Sequence, residues 1–170
     1  MDLLTESLLN SFASLGRVLM GVAMAFLAGV ILGLLRSLLP QALKRNFFVN
    51  FLLDAGKYPP PIAWIPFVIL FFGVGNFAAS VIVFIGAFSP LFTNTYEGIE
   101  RMPMILKNTL RNFEVPFAKR LKALFMTAFP EIYAGLKVAF SMGWMSVIAA
   151  EMISGQSGLG YSIQVNRLNM

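Results

Sequence analysis

Residues 18–35 read VLMGVAMAFLAGVILGLL, an unbroken apolar run closed at its two ends by Arg17 and Arg36. As a helix it is about 27 Å long, close to the roughly 30 Å of hydrocarbon in a bilayer, so it predicts a membrane span. Arg17 and Arg36 are expected to snorkel toward the two interfaces. A cleaved leader is not expected, because the run exceeds the usual apolar core of one and the acidic Asp2 and Glu6 precede it. Composition agrees. The 170 residues are 58% hydrophobic and 12% charged, with a mean hydropathy of +0.76, whereas a soluble domain carries about a quarter of its residues as charges. There is no cysteine and no histidine. That excludes thiol nucleophiles, Cys/His metal sites and imidazole acid–base chemistry, and no cofactor or metal is expected.

Working outward, Tyr58 to Tyr96 is uncharged over about 40 residues, about twice one membrane thickness, and must fold back once. Gly73-Val74-Gly75-Asn76 supplies the backbone freedom for that reversal. Before it, Pro59-Pro60-Pro61 and Pro66 break regular helix, predicting a lead-in helix over 46–56, a proline corner and a short helix over 62–72. A further apolar stretch begins at Pro130, and Ser154 to Tyr161 is glycine-rich and predicts a loop or re-entrant turn. The expectation is a single all-α transmembrane domain over 1–170, a polytopic helical bundle with spans near 13–36, 46–73, 77–95 and 130–153. Almost all the basic residues follow the first span or lie between the third and fourth, so these two connections face the cytoplasm and both chain ends lie outside. The charge of +5 therefore reports topology, and nucleic acid is not an expected partner.

The cytoplasmic segment, about 97–129, is patterned. Leu106, Leu110, Phe113, Phe117, Leu121 and Leu124 recur at three- and four-residue spacing, with Lys107, Arg111, Glu114 and Lys122 off that stripe. Pro103 suits a first turn, and Pro116 is expected to end one helix and begin another. Such a helix either rests on anionic membrane lipid or docks its apolar side chains in a groove of a cytoplasmic partner.

Within the spans, Gly21, Ala25, Gly29 and Gly33 form a narrow face, expected to pack a neighbouring helix closely and otherwise available to line a path. Asp54 has Lys57 three residues on, predicting a local ion pair. Glu151 has no such neighbour. It either lies near the outer interface, ending the helix and bonding the glycine-rich loop, or stands at an outer gate. Ser141, Trp144, Met145 and Ile148 share one helix side that Glu151 continues, a side for a solute path or for packing. No nucleophile–base pair and no phosphate-cradling loop occurs, so no catalytic residue is assigned.

The strings YPPPIAWIPFVILFFGVGN (58–76), FSPLFTNTYEGIE (88–100) and FPEIYAGLKVAFSMGWMSVIAAEMISGQSGLGY (129–161), in this order, resemble the permeases of type I ABC importers, specifically the nitrate/sulfonate/taurine/bicarbonate subgroup. The resemblance implies a multi-pass bacterial inner-membrane permease subunit for a small oxoanion or sulfonate. It further implies an extracytoplasmic solute-binding protein, a second permease copy, and a cytoplasmic ATP-binding subunit that hydrolyses the ATP. It also implies that Leu106, Lys107, Asn108, Thr109, Leu110, Arg111, Asn112, Phe113 and Glu114 form the coupling helix. In the family that segment begins Glu-Ala-Ala and carries a glycine six residues after the glutamate. Here Lys107-Asn108-Thr109 and Phe113 stand there, so a charge facing the partner is expected to be reversed. The resemblance is to the central four spans, so the family's first and last helices are expected to be lacking here. The competing expectation is a truncated or degenerate permease serving only as a membrane interaction protein. A membrane-bound enzyme fits worst, because Glu151 offers no evident partner in sequence.

Overall fold

In a computed structural model, residues 3–44, 46–48, 51, 59–113, 115–154 and 157–168 are described, and every regular element among them is helical. Helix α1 spans Leu3–Leu38, and a single turn, α2, spans Gln41–Lys44. A 3-10 turn over Pro61–Trp64 runs into α3, Ile65–Phe72. Then come α4 (Asn76–Glu100), α5 (Met104–Asn112), α6 (Phe117–Ser154) and α7 (Leu159–Leu168).

Three of these helices are long and apolar enough to cross a membrane, over Thr5–Leu38, Asn76–Glu100 and Phe117–Ile153. The expected second span is represented by the shorter apolar Pro61–Phe72. Its prolines sit at helix starts: Pro61 and Pro66 lie in first turns, where the missing N–H costs nothing. Most of the expected lead-in over 46–56, and the Asp54–Lys57 pair, lie outside the described residues. The reversal at Gly73 is as predicted. Gly73 caps α3 with φ of +72°, a conformation that favours glycine.

Three buried layers fix the directions of the rods. Val18, Val22 and Ala25 pack with Val83, Ala87, Leu91, Ala139 and Val147. Val30 and Leu34 pack with Ile99, Met102, Leu124, Ala128 and Ile132. Ile65 and Val68 of α3 pack with Ala78, Ala79, Ile82 and Ala150. The pairings rise together along α1 and α4 and fall along α6, so α1 and α4 run parallel and α6 antiparallel to both. The glycine face is the α1–α4 contact. A Cβ on Gly21 would stand 2.6 Å from the Ser80 carbonyl oxygen, one on Gly29 2.9 Å from Leu91 Cβ, and one on Gly33 2.8 Å from Thr95 Cβ. Small residues there admit a backbone approach that larger ones block.

Three sequence expectations change. Pro130 does not start a helix: α6 is continuous for 38 residues through it. At about 57 Å it outruns even the roughly 40–45 Å of a bilayer with its headgroups, so residues 117–129 of the patterned segment and the expected last span form one rod. Pro130 is exposed on the outside of the bundle, and the helix continues through it without its N–H bond. Second, Arg17 and Arg36 do not snorkel; both are 7% exposed. Arg36 lies under aromatic rings, its guanidinium carbon 4.2 Å from the centroid of Tyr96 and 5.4 Å from that of Phe92. Third, the loop after α6 is shorter than expected, since Leu159, Gly160 and Tyr161 are already in α7.

Candidate functional site: a buried polar knot and a docking helix

The parallel course of α1 and α4 brings their N-terminal ends beside the C-terminal end of α6, and polar side chains from all three converge there. Asn10, Ser14 and Arg17 recur at three- and four-residue spacing on α1. Arg17 Nη1 ion-pairs with Glu151 Oε1 and donates to the Ser157 carbonyl at 2.8 Å. Its Nε and Nη2 donate to Asn76 Oδ1 at 3.0 and 2.7 Å, and Nη2 also reaches Ser157 Oγ at 2.5 Å. Ser14 Oγ lies 2.8 Å from both Glu151 oxygens. Glu151 itself is 0% exposed. A carboxylate at that depth is tolerated because an opposite charge and further donors neutralise it.

The same side chains explain α7. The first N–H groups of a helix have no partner within it. Here Gly158 N–H donates to Asn10 Oδ1 at 3.0 Å, Leu159 N–H to Ser14 Oγ at 2.9 Å and Gly160 N–H to Glu151 Oε2 at 3.0 Å. The helix is capped by α1 and α6 rather than by its own sequence. Gly158, at φ +108°, turns the chain into it, and a Cβ there would collide with the Glu151 carboxylate. Glu151 thus bonds the glycine-rich turn, as one sequence reading expects, but it does not end its helix, which continues to Ser154. Its principal partner, Arg17, was missed. The polar repeat Asn10, Ser14, Arg17 was the available signal.

The other predicted path residues do not gather around Glu151. Ile148 is half-buried against the central layer, while Ser141, Trp144 and Met145 lie on the outside of the bundle.

At the opposite end, α5 stops at Asn112 and α6 starts at Phe117, the break expected at Pro116. The apolar stripe divides. Leu110, Leu121 and Leu124 pack inward on the lower layer, whereas Leu106, Phe113 and Phe117 are exposed, joined by Met104 and Ile105. Asn108, Thr109 and Asn112 are exposed, with Thr109 Oγ1 donating to the Ile105 carbonyl at 2.9 Å. The side chain of Arg111, and Glu114, lie outside the described residues. Lys107 turns back toward the bundle. Its Nζ donates to the Glu100 carbonyl at 2.8 Å and lies 3.7 Å from Glu100 Oε2, while Lys44 Nζ holds Glu100 Oε1 at 2.6 Å. A lysine at the C-terminal end of α4 complements the helix dipole. In the structure the Lys107 ammonium is held by Glu100.

A parallel pair and a returning rod of membrane-spanning length, locked by an ion pair at one end and presenting an amphipathic helix at the other, define a polytopic helical membrane protein. The chain belongs to the family of binding-protein-dependent transport system inner membrane components, whose model matches residues 25–170. This is a family of transport components, not of enzymes. The chain is 36% identical over 155 residues to the nitrate import permease protein of Leptolyngbya laminosa, covering 89% of this chain and 53% of that one. It is 33% identical over 156 residues to the bicarbonate transport system permease protein of Synechococcus elongatus, covering 91% and 55%. To the taurine transport system permease protein of Escherichia coli K12 it is 25% identical over 153 residues, covering 89% and 54%. It spans about half the length of these relatives.

Proposed function

We propose that this chain is the transmembrane permease portion of an ATP-driven importer for a small oxoanion or sulfonate-type solute. A cytoplasmic ATP-binding subunit docks on α5, a second permease copy completes the pathway, and an extracytoplasmic binding protein delivers the solute. The observation that carries this reading is the division of α5. Leu110 anchors it to the bundle while Met104, Ile105, Leu106 and Phe113 stand outside, which is how a helix offers side chains to a partner's groove. Because α6 is one rod from Phe117 to Ser154, a displacement at its start is carried to the Arg17–Glu151 knot at its far end. In this reading Glu151, with Arg17, latches an extracytoplasmic gate. Ser141, Trp144 and Met145 face the path shared with the second copy, and Ile148 links that face to the core.

The test is co-purification of the complete reading frame with its ATP-binding subunit. Reconstituted vesicles are then scored for hydrolysis stimulated by the binding protein and for uptake of nitrate, bicarbonate or taurine. Stimulated hydrolysis that is lost in Ile105→Asp and Phe113→Asp supports coupling through α5. A stable membrane protein that captures no ATP-binding subunit overturns it and leaves the interaction-protein alternative.

A further inference from the structure

At the end of the bundle opposite the Arg17–Glu151 knot, the ends of α1 and α4 meet α2, α5 and the first turn of α6 around a cavity of about 420 Å³. Its charged lining comes from four different elements. Lys44 belongs to α2, Lys107 to α5, Arg120 to α6, and Glu100 closes α4. Both lysines share the one carboxylate, with Lys44 Nζ 2.6 Å from Glu100 Oε1 and Lys107 Nζ 3.7 Å from Oε2. Arg120 is exposed and, among the described residues, has no carboxylate partner. Three cations thus face one anion, which leaves the cavity two positive charges in excess. Membrane topology asks for basic residues near this interface, but it does not ask that three helices aim them into one cavity.

The level of the cavity says which anion meets it. The uncharged run of α1 covers about 27 Å from Val18 to Leu35, nearly the whole hydrocarbon layer, and Ser37 and Leu38 line the cavity directly beyond it. That is the depth of the lipid headgroups on the α5 side. Below it the surface is apolar: Leu35 and Ile31, one and two turns back along α1 from Leu38, are exposed. A basic pocket with an apolar track leading to it has the outline of a phospholipid. The lysines are also partly withdrawn from water, with side chains 18% and 34% exposed, so a charge placed beside them is screened less than at the open surface. Lys107 has three donors and commits no more than two of them to Glu100.

We infer that this cavity binds the phosphate of an anionic phospholipid, with Lys107 and Arg120 donating to its oxygens and an acyl chain lying along Leu35 and Ile31. Basic pockets between membrane helices suit such headgroups. The inference needs the membrane span and not the importer reading. Ile105, Leu106 and Phe113, the side of α5 offered to a partner, do not line the cavity, so lipid and partner use different sides of that helix.

The test is native mass spectrometry of the complete reading frame in neutral detergent, titrated with dioleoylphosphatidylglycerol or dioleoylphosphatidylcholine, with inorganic phosphate as a competitor. Phosphatidylglycerol is expected to bind at least about tenfold more tightly than phosphatidylcholine. Arg120→Gln is expected to lower that affinity about fivefold, whereas Lys119→Gln, the same loss of charge at an exposed neighbour that does not line the cavity, lowers it less than about twofold. Glu100→Gln removes the opposing charge and is expected to raise the affinity about fivefold, where the loss of a purely structural ion pair would lower it. Equal affinities for the two lipids, equal losses in Arg120→Gln and Lys119→Gln, or weaker binding in Glu100→Gln overturns the site. Inorganic phosphate that displaces the lipid at equal concentration overturns the lipid as occupant and leaves a site for the free anion.

Discussion

Arg17 and Glu151, 134 residues apart along the chain, form a buried ion pair in which all the guanidinium's directions are occupied: Glu151, the Ser157 carbonyl and hydroxyl, and Asn76. Its consequence is asymmetric. Removing one member strands a charge in low dielectric, whereas removing both leaves no buried charge and only the neutral groups that the pair had bonded, at Ser14, Asn76, Ser157 and Gly160. Glu151→Leu or Arg17→Met alone is expected to destabilise by about 3–5 kcal/mol, and the double variant to recover most of that loss. Thermal unfolding in detergent of the four proteins in the cycle checks it. A double variant no more stable than the worse single would mean that the pair contributes little beyond its separate hydrogen bonds.

Gly158→Ala attacks the same knot through the backbone. The residue sits at φ +108°, and its new methyl would meet the Glu151 carboxylate. A strained conformation of that kind costs about 1–3 kcal/mol before the carboxylate is displaced. Faster hydrogen exchange over Leu159–Leu168, with the α1–α4 region unchanged, is the expected signature, because α7 owes its first three N–H partners to Asn10, Ser14 and Glu151.

These two predictions mark where sequence and structure part. The spans of α1, α4 and α6 were legible because hydropathy is a local property, and so were the glycine reversal at Gly73 and the break at Pro116. The glycine face of α1 was legible from its four-residue spacing. The Arg17–Glu151 pair was not: the polar repeat Asn10, Ser14, Arg17 marks a polar face on α1, but nothing in either neighbourhood names the partner across 134 residues. The N-terminus of α7 was hidden for the same reason: its caps come from other helices, so the local glycine-rich string read as loop. The continuity of α6 was missed because a proline's helix-breaking tendency is a propensity, and packing on both sides of Pro130 overrides it.

The α1–α4 contact separates glycines that are needed from one that is not. Gly29→Val is expected to cost about 1–3 kcal/mol by forcing α1 from Leu91, the usual range for overpacking. Gly16, in the same helix, has nothing within 4 Å of where its Cβ would go. Gly16→Ala is therefore expected to leave stability unchanged or raise it by up to about 1 kcal/mol, since alanine is the better helix former. Melting temperatures of the two variants test whether close approach or helix propensity governs this face.

Lys107 bears on how α5 meets a partner, since the family resemblance leads one to expect a reversed charge there while Glu100 holds this lysine in the structure. A lysine directed at an acidic or basic partner would make binding of the ATP-binding subunit depend on its charge and on salt. In the structure Lys107 is instead held by Glu100, which Lys44 also holds, at a half-exposed site where such pairs contribute about 0–1 kcal/mol. Lys107→Met is thus expected to change the affinity for the ATP-binding subunit less than about fivefold, the factor that 1 kcal/mol represents, and to leave its salt dependence unaltered. Ile105→Asp, which places a charge on the exposed apolar side, is expected to abolish binding. Affinities measured across a salt series decide the matter. A steep change in salt dependence for Lys107→Met would turn this lysine outward in the complex and make it part of the docking surface.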